Sequence, residues 1–420
     1  MFALADCNNF FVSCERVFRP DLENRPVIVL SNNDGCAIAR SNEAKALGIK
    51  MGDPLFKIRN LVQQHDIAIF SGNMSLYADF SRRIRSVLRD YAPHIEVYSI
   101  DEAFLDLRGM EGIDFDAYAK RLSSECRRMT GIPVSVGIAP TKTLAKIASK
   151  LCKQYPKLHG GCYMHRPEDI EKVLRKFPIE DVWGIGRRHA PRLKEQGITT
   201  AYDFCNLSEE WVHRRMGITG LRTWRELRGT PAIEFEHITQ LKQSICNSRS
   251  FSQEIYDLRE LTEQVAKFAA LTAEKLREQN SLCRQLTIFA ATNRFRSDQM
   301  QQYGNILIPF TEPTNSSLHI VRAAREAVRE IFVRGIGYKR AGVIASQITA
   351  TEGAMHSMFD SAKQEQHRRL MQAVDSINRT SGDNTVVVAS QGLNAIKANS
   401  EHRSPRYTTR WEDIPVVKIK

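Results

Sequence analysis

Short apolar runs recur along the first 165 residues, at 2–5, 26–30, 67–70, 95–98, 104–107 and 134–138, and each predicts a β-strand. Between them the apolar positions fall at helical spacing. One helix is expected over about 75–91, with Leu76, Phe80, Ile84 and Leu88 on one face, and another over about 115–129. The run Ser31-Asn32-Asn33-Asp34-Gly35-Cys36 has turn chemistry and separates β-like runs at 27–30 and 36–39, so residues 31–72 read as a small sub-domain inserted into a sheet domain. From about 167 to 237 the pattern turns helical and charge-dense, with glycine-rich turns at Gly184-Ile185-Gly186 and Gly217-Ile218-Thr219-Gly220. After a polar link at 240–243 an α/β pattern resumes to about 347, with strands expected at 286–291 and 305–308 and helices at 261–279 and 316–334. The last 70 residues are polar and poor in aromatics, which favours partial disorder.

A chain of 420 residues suggests about three domains. The net charge of +12 and the isoelectric point near 9.3 favour a polyanionic partner, nucleic acid first and an acidic membrane second. No apolar run approaches the roughly 18 residues of a membrane span, and residues 1–6 lack the basic segment of a signal peptide. Nine cysteines, an odd number without any Cys-x-x-Cys, point to reduced thiols in a cytosolic protein. Eleven histidines show no His-x-x-x-His spacing, so a thiolate or imidazole metal site is not expected.

Candidate chemistry begins with Asp101-Glu102. They lie between two alternating segments, His94-Ile95-Glu96-Val97-Tyr98 and Ala103-Phe104-Leu105-Asp106-Leu107, which reads as a hairpin with carboxylates at its tip. Asp6 closes the first apolar run, and pairing of the two strands brings three carboxylates together. Such a group suits two divalent cations during phosphoryl transfer. Taken alone, an acidic pair at a strand end is usually a solvated turn, and its place at the tip of a hairpin is what favours the metal reading. Lys142, Lys146 and Lys150 follow at i, i+4 and i+8 on one helix face, with no acidic residue from Lys142 to Lys157, and a phosphate-facing role competes there with a plain solvated face. Ala139-Pro140-Thr141 reads as the start of that helix, where backbone amides can hold a phosphate. Gly184-Ile185-Gly186 with Arg187 and Arg188 suits a hairpin gripping a DNA phosphate, or an ordinary turn between helices. The adjacent Phe10 and Phe11 point to opposite sides if the segment is extended, with Phe10 in the core.

These residues together resemble a known family. Asp6…Phe10-Phe11, Ser99-Ile100-Asp101-Glu102-Ala103-Phe104 and Gly137-Ile138-Ala139-Pro140-Thr141-Lys142-Thr143-Leu144-Ala145-Lys146 are similar to the motifs of Y-family translesion DNA polymerases, and Gly184-Ile185-Gly186 follows in the matching order. Val17-Phe18-Arg19-Pro20, Ser31–Cys36, Ala44–Pro54 and Ser404–Arg410 resemble the UmuC subgroup, the catalytic subunits of bacterial DNA polymerase V and their plasmid-borne relatives. The resemblance implies an α+β, multidomain right hand: a ferredoxin-like palm (1–30 and 73–166), small fingers (31–72), a helix-hairpin-helix thumb (167–240), an α/β little finger (243–350) and a C-terminal tail (351–420) for partner and clamp binding.

It also implies error-prone, template-directed DNA synthesis past damaged bases in the SOS response, on primer-template DNA with deoxynucleoside triphosphates. Asp6, Asp101, Glu102 and the Cys7 carbonyl would hold two Mg²⁺ ions. Phe11 would be the steric gate against ribonucleotides, and Lys153 a triphosphate-binding lysine. Asn42 and Lys45 stand where many members place a Tyr and an Arg over the triphosphate, and a lysine lacks the bidentate fork of an arginine. Lys142, Lys146, Lys150, Gly184, Gly186, Arg187 and Arg188 would meet DNA. Met355, Met358 and Phe359 match a sliding-clamp peptide that lacks its Gln. The implied partners are a cleaved UmuD-type protein, a RecA filament and a sliding clamp, with no membrane; the implied place is the bacterial cytoplasm, at the nucleoid. Two other readings remain: a palm-type nucleotidyl cyclase, and a catalytically silent scaffold bound to DNA at stalled forks.

Overall fold

Strand β1 (Phe2–Cys7) is buried along nearly its whole length, and its alternation separates two cores. Ala3, Ala5 and Cys7 enter one, whereas Phe2 and Leu4 enter the other. In chain order β1 is followed by α1 (Phe10–Phe18), β2 (Val27–Leu30), β3 (Ala37–Arg40), α2 (Asn42–Ala46), α3 (Leu55–Gln64) and β4 (Ala68–Ser71). Then come α4 (Met74–Arg89), β5 (His94–Val97), β6 (Glu102–Asp106), α5 (Phe115–Thr130), β7 (Val134–Ala139), α6 (Lys142–Gln154) and β8 (Gly161–Tyr163). The computed structural model describes residues 1–110, 112–237, 241–352, 361–382, 384–392 and 399–416. It divides into two units, Met1–Ile238 with Ser400–Lys420, and Thr239–Asn399.

In the first unit five strands form a sheet in the order β5-β6-β1-β7-β8, with β1 antiparallel to β6 and β7. Helices α1, α4 and α5 bury Val12, Phe80, Ile84 and Leu122 on the Ala3/Ala5 face, and α6 buries Leu144 and Ile147 on the Phe2/Leu4 face. Helix α6 lies close to β7 because position 137 carries no side chain: a Cβ on Gly137 would sit 2.1 Å from the Ser149 amide nitrogen. Strands β3-β2-β4 make a separate small sheet with a core of Ile28, Leu30, Ile49, Ile58 and Ile67. Helices α7 (Pro167–Leu174), α8 (His189–Lys194), α9 (Ala201–Cys205) and α10 (Glu209–Leu227) extend the Phe2/Leu4 core through Leu174, Leu193, Phe204 and Val212.

The second unit holds β9 (Ile245–Ile255), α11 (Leu258–Glu278), β10 (Ser281–Ala291), β11 (Tyr303–Thr314), α12 (Ser317–Ile331), β12 (Tyr338–Ala350) and α13 (Ser361–Ser381). Its antiparallel sheet runs β11-β10-β12-β9 and shares a core with α11 and α12. The bidentate pair Arg277–Asp375, at 2.7 Å for each bond, ties α13 to α11.

Two expectations change. Phe10 and Phe11 are not extended: Asn9 takes a left-handed φ of 47° and helix α1 starts at Phe10, so the two rings leave successive helical positions. In the C-terminal stretch, where composition favours partial disorder, the described residues include the 21-residue helix α13 and a segment after residue 399 that belongs to the first unit. Among the described residues no helix is long and apolar enough to cross a membrane.

Candidate active site

The alternation that buries Phe2 and Leu4 carries Asp6 to the same face at the end of β1, and the register sets Asp6 opposite Glu102 on β6. Asp101 stands at the turn before β6. Its carbonyl accepts the Cys7 amide at 2.9 Å, which joins the two strand ends. Ser99 fixes the turn: its hydroxyl donates to Asp101 Oδ1 at 2.5 Å and accepts the amides of Asp101 at 3.2 Å and Glu102 at 3.0 Å. The carboxylates are thus held on strand ends rather than on a free loop.

Helix α6 supplies the counter-charge. Lys153 Nζ lies 2.6 Å from Asp6 Oδ2, and Lys146 Nζ lies 3.0 Å from both oxygens of Glu102. Lys146 also sits over the Tyr98 ring at 4.5 Å and the Trp183 ring at 5.3 Å, and the Trp183 indole donates to the Tyr98 hydroxyl at 3.0 Å. Burial raises the Asp6 carboxyl to about 6, with the charges of Glu102 and Asp101 adding to the rise and Lys153 opposing it.

A cleft of about 330 Å³ opens here, lined by Asp6, Cys7, Phe11, Asp101, Glu102 and Lys153 together with Asn9, Arg40, Lys45 and Met51. Lys45 donates to Asn9 Oδ1 at 2.6 Å and lies 3.4 Å from Asn42 Oδ1, and Asn9 in turn donates to Asn42 Oδ1 at 3.1 Å. Burial, then Arg40 and Lys153, lower the pKa of Lys45. The Phe11 ring lies flat on Tyr77, with centroids 4.3 Å apart and planes at 15°. Asp6, Cys7, Phe11, Lys45, Asp101, Glu102 and Lys153 therefore meet in one place, with Asn42 bonded to its rim.

The donor set fits hard divalent cations. It offers only oxygen ligands, and its crowded negative charge already draws two ammonium groups. Among the described residues no three His, Cys, Asp or Glu side chains form a ready-made metal cage. Such a set matches a cation that takes a few carboxylates and completes its shell with substrate oxygens.

The lysine ridge needs correction at its first position. Lys142 is 1% exposed and donates to Glu96 Oε2 at 2.5 Å and to the Glu234 carbonyl at 2.6 Å, between the rings of Phe104 and Phe235. Buried in this ion pair, it presents no charge to DNA. Lys150 is half-exposed and pairs with Asp181 at 2.8 Å. Gly184 and Gly186 form the expected turn before α8. Gly184 has φ 90°, and a Cβ there would meet Thr223 Oγ1 at 2.6 Å. Arg187 and Arg188 are exposed. Met355, Met358 and Phe359 lie outside the described residues. Sequence reasoning missed Arg40 and Asn9. The one available signal for Arg40 was a basic residue ending the alternation of Ala37-Ile38-Ala39.

Comparisons with known proteins agree with this arrangement. Residues 5–150 match the impB/mucB/samB family, 242–358 match the C-terminal domain of that family, and 368–417 match a domain of unknown function. Protein UmuC of Salmonella typhimurium is 39% identical over the full length of both chains. DNA polymerase IV of Moorella thermoacetica is 28% identical over 91% of this chain and 94% of its own. Among solved structures, a Y-family DNA polymerase chimera superposes with a TM-score of 0.67 at 23% identity, covering 83% of this chain and all of its own. The chain belongs to the impB/mucB/samB family, the family of UmuC.

Proposed function

From that membership we infer that this chain is a template-directed DNA polymerase of the Y family that copies past damaged bases. One observation carries the reading: the carboxylates of Asp6, Asp101 and Glu102 come together at adjacent strand ends, in one cleft with Phe11 and Lys153. A family of UmuC and the likeness to a protein named DNA polymerase IV supply the reaction class.

Asp6, Asp101, Glu102 and the Cys7 carbonyl would hold two Mg²⁺ ions. Bound there, the ions supply Lewis acidity at the 3′-hydroxyl and charge neutralisation at the leaving pyrophosphate. The chain's own side chains do the rest. Lys153, Lys45 and Arg40 present positive charge to the triphosphate. The Phe11 ring, backed by Tyr77, crowds the 2′ position of the sugar. The assignment of palm (1–30 and 73–166), fingers (31–72), thumb (167–240) and little finger (243–350) is part of the same proposal. The five-stranded sheet, the helices α7 to α10 and the second unit support it, with one correction: β2 (Val27–Leu30) pairs with β3 and β4 in the small sheet, so 27–30 goes with the fingers and not with the palm. In this reading Lys146 acts at the carboxylates, and Lys150, Gly184, Gly186, Arg187 and Arg188 would meet the duplex backbone. We assign the protein to the cytoplasm, at the nucleoid, with a UmuD-type protein, a RecA filament and a sliding clamp as partners.

The test is primer extension opposite an abasic site with Mg²⁺ and all four deoxynucleotides, with and without the UmuD-type partner and RecA filament. The wild type extends. Asp101→Asn loses extension by at least about 100-fold and keeps its DNA affinity, because it removes a ligand and not the grip. Full activity in the variant would refute the metal assignment, and no wild-type extension under any condition would leave the scaffold reading.

A further inference from the structure

One buried carboxylate takes no part in this chemistry. Glu15 lies one helical turn beyond Phe11 on α1 and is 0% exposed. Its Oε1 accepts two hydroxyls, Tyr77 at 2.7 Å and Ser404 at 3.0 Å, and its Oε2 has no hydrogen-bond partner. Tyr77 is the residue whose ring lies flat on Phe11. An unbroken set of contacts therefore leads from Ser404, near the C-terminal end of the chain, to the aromatic that faces the sugar.

Ser404 is itself held in place by its neighbours. The Ser71 amide donates to the His402 carbonyl and the His402 amide donates to Ser71 Oγ, both at 3.0 Å. The Asn73 amide group donates to Ser404 Oγ at 2.9 Å, to the Ser404 carbonyl at 3.2 Å and to the Pro405 carbonyl at 3.1 Å. Asn73 also caps α4, the helix that carries Tyr77, by accepting the Leu76 amide. Tyr407 stacks on Phe18 of α1, with centroids 4.2 Å apart and planes at 17°. The strap over residues 402–407 thus grips both helices that hold the Phe11–Tyr77 ring pair, and none of its residues lines the cleft.

We propose that this C-terminal strap sets the sugar selectivity of the cleft: Ser404, acting through Glu15 and Tyr77, is a positioning residue for Phe11. The physical reason is the cost of under-satisfying a buried carboxylate. Two donors fix Oε1 in place, and without Ser404 the buried carboxylate is left one bond short, so it shifts and takes the Tyr77 hydroxyl with it. A steric gate works by contact, so a small tilt of Tyr77 relaxes the wall behind Phe11. The proposal rests on the gate reading of Phe11.

The test compares single-nucleotide insertion of a deoxynucleotide and of its ribonucleotide by the full chain, in wild type, Phe11→Ala, Ser404→Ala, Ser404→Thr and Tyr77→Phe. We expect Phe11→Ala to raise the ribo/deoxy ratio of kcat/KM most. Ser404→Ala and Tyr77→Phe should raise it by about threefold to tenfold, mainly through a lower KM for the ribonucleotide. Ser404→Ala keeps its deoxynucleotide kcat, and Ser404→Thr, which retains the hydroxyl, returns toward the wild-type ratio. If Phe11→Ala raises the ratio and neither Ser404→Ala nor Tyr77→Phe does, the strap proposal falls and the gate stands. If Phe11→Ala leaves the ratio unchanged, the gate reading falls and the strap proposal with it. An equal loss of ribo and deoxy insertion in Ser404→Ala would mark a merely structural contact and overturn the proposal.

Discussion

At the scale of single residues the site is a concentration of negative charge that folding alone does not favour. Burial lifts the Asp6 carboxyl from 3.8 to about 6. The sign of the effect on stability follows. Well below pH 3.8 the group is protonated folded or unfolded and costs nothing; above about pH 6 it is charged in both states and the folded state bears the desolvation cost. Metal-free protein therefore loses stability at this position as pH rises between those values. Asp6→Asn removes the titrating charge and should raise the melting temperature at pH 8 in chelator by roughly 2–4 °C, with a smaller rise at pH 4.5. A lower melting temperature at both pH values would show that the Lys153 pair outweighs the burial cost. The carboxylates themselves were legible in the sequence, because strand alternation fixes which face Asp6 shares with Leu4. Their lysine partners were not. Lys146 meets Glu102 across 44 residues of chain, and no local pattern encodes that contact. Arg40 was hidden for the same reason, since its place depends on how β3 sits beside the cleft.

At the scale of elements, α6 shows how a uniform sequence pattern resolves into unlike roles. Positions i, i+4 and i+8 share a helix face, as the spacing predicts, but that face is not uniformly exposed. Glu96, the Glu234 carbonyl and the rings of Phe104 and Phe235 enclose its N-terminal end, so Lys142 is inside and Lys150 is half-exposed. Removing one partner of a buried ion pair leaves the other unpaired, and Lys142→Ala should destabilise the first unit by about 3–5 kcal/mol. It should leave the salt dependence of DNA binding unchanged. Replacing Arg187 and Arg188 by Ala should do the reverse, with stability unaltered and the slope of log affinity against log salt reduced by about 2. Denaturant titration and binding across a salt series read the two effects separately. A changed slope in Lys142→Ala would return that residue to the DNA surface.

At the scale of the whole molecule the C-terminal segment returns to the unit in which the chain begins. Residues 400–416 belong to the unit that begins at Met1, although residues 239–399 form another. Most apolar runs translated into elements near their expected places, because each strand or helix is a local pattern read against one core. The long strands β9 and β12 were missed where polar residues interrupt them, and the return of the tail was missed because it is a contact between distant segments. Its residues are mostly polar, and they dock through backbone bonds to Ser71 and side-chain bonds to Asn73 and Glu15 rather than through an apolar stripe that a sequence displays. This docking predicts where stability resides. Deleting residues 400–420 uncovers the buried Glu15 and the Phe18 ring, so amide exchange should accelerate in α1 and in the first turns of α4. The core strands of the second unit, β10 around Leu286 and Ile288, should keep their protection, because their core draws on residues 245–345 and includes no residue beyond 399. Exchange measured by mass spectrometry on the full chain and the truncated chain separates the two. Equal loss of protection in β10 would mean that the units unfold together, and unchanged protection in α1 would mean that the strap contributes nothing to holding it.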